Sequence, residues 1–116
     1  MLSTSQEGAQ NQRLVSDSDR EVAEKLKAAA NDLFAAGKYL EATDKYTEAI
    51  HVDPHNPIYF SNRALANHKQ ELYGAAIVDA TAAISIDPSG KAYYRRAMAH
   101  TMMGDMVGTS LVTKVQ

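Results

Sequence analysis

The sequence predicts an all-α fold built from stacked helix–turn–helix repeats, two complete and a third partial. Three observations predict it. The strings "AIHVDP" and "AISIDP" end at Pro54 and Pro88, 34 residues apart. Small residues recur at the same offsets before those prolines: Ala30 and Ala64, Ala42 and Ala76, Ala49 and Ala83. A period of this length with small residues at fixed positions marks a helical repeat, because alanines let paired helices approach closely. Finally, no segment alternates apolar and polar residues as a half-buried strand does.

The elements follow in order. Residues 1–17 are rich in Ser, Gln, Asn and Gly and predict a mobile tail, since they offer little surface to bury. The repeat domain covers 18–106. It opens at "SDRE", where Ser18 and Glu21 have the spacing of a capping box. Helices are predicted over about 18–36, 39–52, 57–70, 73–86 and 91–103. Gly37 and Gly104 supply turns within units, and Pro54 and Pro88 stop the second helix of each complete unit. The units span about 23–56, 57–89 and 90–106. The third carries Tyr93, Ala97 and Gly104 one residue early, which implies a one-residue deletion after Pro88. It then departs from the pattern: Thr109 replaces the expected alanine, and "VGTSLVTKVQ" is β-branched and contains Gly108. Residues 107–116 are therefore expected to form a divergent tail. Of the aromatics, Tyr59, Tyr93 and Tyr94 are expected to serve packing.

Composition narrows the function. A chain of 116 residues accommodates one domain. A net charge of −2 and a pI near 6.0 argue against nucleic acid or an anionic membrane as partner. The absence of cysteine excludes thiol catalysis, disulfides and cysteine-ligated zinc. There is no signal-peptide pattern and no apolar run long enough to cross a membrane, so a cytoplasmic or nuclear location is expected. His51 and His55 have metal-binding spacing on a helix, but Pro54 separates them. No phosphate-cradling loop is present. The expectation is a binding chain with no catalytic residues, no metal and no cofactor.

Two pairs carry the chemistry. Lys27 and Asn31 are four residues apart, as are Lys91 and Arg95, so each pair shares one helical face. Lys91 and Arg95 repel each other by roughly 0.2–0.5 kcal/mol, and "SGKAYYRRAMAH" contains no acidic residue to relieve them.

With these registers and the strings "SNR" and "KAYYRRA", residues 20–106 resemble the tetratricopeptide repeat family. They are most similar to its carboxylate-clamp members, among them the N-terminal repeat domains of serine/threonine protein phosphatase 5 enzymes. The resemblance implies a right-handed superhelix whose concave groove is lined by the first helix of each unit. It implies a carboxylate clamp of Lys27, Asn31, Asn62, Lys91 and Arg95, with Lys69, Phe34, Ile58, Leu65 and Met98 as accessory groove residues and no carboxylate among the clamp groups. The implied partner is the C-terminal peptide of an Hsp90 or Hsp70 chaperone, ending in Glu-Glu-Val-Asp. The alternative is a truncated product or scaffold without a competent groove. In it, the third unit's first helix frays and exposes Tyr93 and Ala97, a surface suited to self-association.

Overall fold

A computed structural model of the chain describes residues 15–115, with side chains described as far as Gly104. The tail expected over 1–17 therefore lies mostly outside the described residues. Five helices follow one another: α1 (Asp17–Ala35), α2 (Tyr39–Val52), α3 (Pro57–Lys69), α4 (Tyr73–Ile86) and α5 (Gly90–Val115). Each packs on the next, and α3 also touches α5. The described residues contain no strand.

The helix starts have separate local causes. Ser16, not Ser18, caps α1, accepting from the Asp19 amide at 3.1 Å. Ser18 already lies inside the first turn, so the expected Ser18–Glu21 box does not form. At α3, Asn56 accepts from the Ile58 amide at 3.0 Å and Pro57 takes the first helical position, where its missing N–H costs nothing. At α5, Ser89 Oγ accepts from the Ala92 amide at 3.2 Å.

The turns inside the two complete units repeat bond for bond. In the first, Gly37 N donates to Phe34 O and Lys38 N to Leu33 O, both at 2.9 Å. In the second, Glu71 N donates to His68 O and Leu72 N to Asn67 O, also at 2.9 Å. Each is a Schellman closure, which needs a left-handed residue after the helix. Gly37 takes φ 78° without strain, whereas Glu71 takes φ 62° with a side chain attached. Gly104 does not repeat this turn. It keeps a negative-φ backbone and α5 continues through it to Val115. The expected helix end at 103 is thus corrected: no left-handed residue closes the helix there, and one glycine costs only about 1 kcal/mol.

The core is built almost without bulk. Ala30, Ala42, Ala49, Ala64, Ala76 and Ala83, all at the repeated offsets, are 0–1% exposed. Every buried apolar residue among those described is an alanine or a tyrosine. Tyr46 packs with Ala30, Ala42 and Ala66, Tyr59 with Ala23 and Ala49, and Tyr73 with Ala76 and Ala99. Removing one such aromatic from water contributes about 1.5–3 kcal/mol. Tyr59 meets the packing expectation, but Tyr93 and Tyr94 do not, being 47% and 66% exposed. Tyr93 instead lies under the Arg96 guanidinium, 5.3 Å from its ring centre. Ala97 is exposed too, unlike Ala30 and Ala64 at the same repeat position.

One polar cluster joins the units. Arg63 forks onto Asp79 with bonds of 2.8 and 2.7 Å and reaches Thr47 Oγ1 at 3.0 Å. Asn67 donates to the same carboxylate at 2.9 Å. α2, α3 and α4 are thereby tied through one buried acid, and Arg63 of the "SNR" string is occupied within the fold.

Candidate functional site

α1, α3 and α5 bring three of the five expected polar residues, Asn31, Asn62 and Lys91, into the walls of two adjoining clefts. The larger, about 210 Å³, is lined by Ile58, Ser61, Asn62 and Lys91, with Asp87 also in its wall. The smaller, about 110 Å³, is lined by Asn31, Phe34, Tyr46, Asn62 and Leu65. Asn62 borders both.

Arg95 reaches toward that border from α5. Its Nη1 donates to Ser61 Oγ at 2.7 Å and weakly to Asn62 Oδ1 at 3.4 Å. Burial pulls the Arg95 guanidinium below its ordinary value, opposed by the nearby Tyr46 hydroxyl. Among the described residues no carboxylate pairs with Arg95 or Lys91. A half-buried cation held only by neutral oxygens retains its attraction for an anion.

Tyr46 belongs to the site and was not anticipated from the sequence. Its hydroxyl donates to Asn31 Oδ1. With the oxygen side of that amide occupied, the NH₂ of Asn31 is left to donate elsewhere. Burial raises the Tyr46 hydroxyl's pKa, so it stays protonated and a donor at neutral pH. Its place on the second helix of a unit hid it, because the groove was expected from first helices alone. The signal was the tyrosine's position 15 residues beyond Asn31, across one turn.

Lys27 stands apart. Its ammonium pairs with Glu24 Oε1 at 3.0 Å, and Glu24 Oε2 accepts from the Tyr59 hydroxyl at 2.6 Å. The set of expected groove cations is not free of carboxylate neighbours: Glu24, one turn before Lys27, lies on the same helical face, and Asp87 lies in the cleft wall that Lys91 shares. The Tyr59 bond and then Lys27 hold the Glu24 carboxyl below the usual carboxylate range. Of the accessory residues, Phe34, Ile58 and Leu65 line the clefts. Lys69 is exposed in the last turn of α3, and Met98 is half-buried on α5; neither lines the two clefts. Arg96 lies off this face, with Nη1 3.4 Å from Thr81 Oγ1 on α4.

Comparison with known proteins places this architecture. A family model described as TPR repeat matches residues 30–71. The solved structure of the second TPR of Spaghetti (RPAP3), bound to HSP90 peptide SRMEEVD, superposes with a TM-score of 0.72 at 34% identity. That match covers 84% of this chain and 91% of that one. The chain belongs to the tetratricopeptide repeat family. Among curated relatives of these repeats, serine/threonine-protein phosphatase T of Aspergillus oryzae is 47% identical over 88 residues, covering 75% of this chain. Serine/threonine-protein phosphatase 5 of Homo sapiens is 47% identical over 57 residues, covering 48%. The chain spans only 18% and 11% of the length of those two enzymes. The tetratricopeptide resemblance read from the 34-residue register is thus borne out. No helix among the described residues is long and apolar enough to cross a membrane.

Proposed function

We propose that this tetratricopeptide-repeat chain captures acidic C-terminal peptides of the Glu-Glu-Val-Asp type found on Hsp90 and Hsp70 chaperones. The observation that carries the reading is that Asn62 and Lys91 line one cleft and Asn31 the next, while Arg95 is bonded to Ser61 and Asn62 in the wall of the first. A chain-terminal aspartate offers two carboxylates, all acceptors. Arg95 and Lys91 supply charge, and the amides of Asn31 and Asn62 supply neutral donors. Lys27 completes the set when it is available. Ile58, Phe34 and Leu65 give apolar walls for the valine and the residue before the two glutamates. The HSP90 peptide in the similar solved structure supports the same chemistry.

The mechanism is recognition, with no bond made or broken. Each charge-assisted hydrogen bond adds about 1.5–3 kcal/mol when sheltered, and the open clefts predict modest, salt-sensitive affinity. A scaffold whose groove fails through fraying of α5 has less support. Ala92 and Ala99 are fully buried and Arg95 is bonded to Ser61, so α5 is seated on α4 and α3.

A titration of labelled Glu-Glu-Val-Asp peptide against its C-terminally amidated twin tests the reading. Binding of the acid that is lost or much weakened in the amide is expected. Equal binding of both, or none, overturns it.

A further inference from the structure

We propose that Glu24 is a built-in competitor for the groove, a carboxylate of the chain's own that engages Lys27 and lowers affinity for acidic peptides. The inference rests on the peptide-capture reading and adds a regulator of affinity to it.

Glu24 presents to Lys27 the same chemical group that a peptide terminus would. Its Oε1 lies 3.0 Å from the ammonium. An ordinary pair of this kind on a helix surface is weak and transient. Glu24 differs because its second oxygen is anchored by the Tyr59 hydroxyl at 2.6 Å. Tyr59 is 0% exposed and belongs to α3, 35 residues away. The core of the second repeat therefore fixes the carboxylate that faces the first repeat's lysine. The Glu24 side chain is 53% exposed, so keeping its charge incurs little desolvation, while Lys27 is only 24% exposed. An incoming carboxylate must share the three ammonium hydrogens with Glu24 and sit beside a fixed like charge.

Removing that charge while keeping the anchor isolates the effect. In Glu24→Gln, the amide oxygen still accepts from Tyr59. Glu21→Gln is the control: it removes one negative charge from an exposed position on the same helix. Wild type and both variants are titrated with a labelled Met-Glu-Glu-Val-Asp peptide at low and high salt. Glu24→Gln is expected to bind about three- to ten-fold tighter at low salt, with a steeper loss as salt rises. Glu21→Gln is expected to stay within about two-fold of wild type, as distant exposed charges are screened. If wild type binds and Glu24→Gln binds equally or more weakly, the competitor role falls and peptide capture stands. A matching gain in Glu21→Gln also removes it, leaving only a general charge effect. If neither wild type nor Glu24→Gln binds, both proposals fall together.

Discussion

Arg95 donates a 2.7 Å hydrogen bond to Ser61, 34 residues earlier in the chain. The contact ties α5 to α3 at the edge of the larger cleft and fixes where the guanidinium points. Its oxygen partner is neutral, so the charge stays available. Ser61→Ala is expected to weaken acidic-peptide binding by about two- to five-fold, the worth of one modest hydrogen bond. Arg95→Ala is expected to weaken it further. Helicity by circular dichroism should stay unchanged in both, which separates a recognition role from a folding role.

Tyr46→Phe tests the orientation of Asn31. The hydroxyl bond to Asn31 Oδ1 is lost, and the exposed amide is then free to turn. Discrimination between acid and amidated peptides should narrow, because an amide that can flip serves either terminus. Stability should fall by about 1 kcal/mol in urea titrations.

Asp79 is the acid that Arg63 and Asn67 share. Asp79→Ala leaves a partly buried guanidinium without its counter-charge, at a cost of about 3–5 kcal/mol. Asp79→Asn keeps an acceptor and should cost less. Both are read from thermal or urea unfolding. Equal and small losses would show that the cluster contributes little.

Glu71 and Gly37 predict opposite signs at equivalent turns. A side chain at φ 62° is strained by about 1–2 kcal/mol, part of which glycine's extra freedom in the unfolded chain offsets. Glu71→Gly is therefore expected to stabilise the chain by about 0.5–1 kcal/mol, raising Tm by several degrees. Gly37→Ala, at φ 78°, should lower it by a similar amount.

The repeat architecture was legible because an alanine recurring every 34 residues has one economical explanation, a close helix contact, and all six such alanines are buried. The register also brought Asn31, Asn62 and Lys91 to adjoining clefts and Arg95 onto Ser61 and Asn62 beside them, since helical spacing fixes direction. What it concealed depends on partners distant in sequence or on backbone angles. Nothing local announces that Glu24 meets Tyr59 or that Tyr46 holds Asn31. Glu71 carries no turn propensity, and only its offset from Gly37 could have revealed its conformation. Ser16 lies two residues before the chosen cap, and the choice between neighbouring serines depends on where the first helical turn closes. Gly104 misled in the other direction, because a glycine permits a turn without requiring one.

The alanine core has one more consequence. Alanine has no side-chain rotamers to freeze, so burying it loses none of that entropy. The seams between these helices consequently have few alternative packings to wander among. A groove lined from such seams is expected to need little repacking when a ligand arrives, like a casting mould rather than a hand. Its lining can also be rewritten residue by residue, because the side chains that face outward are not the ones that keep the helices apart.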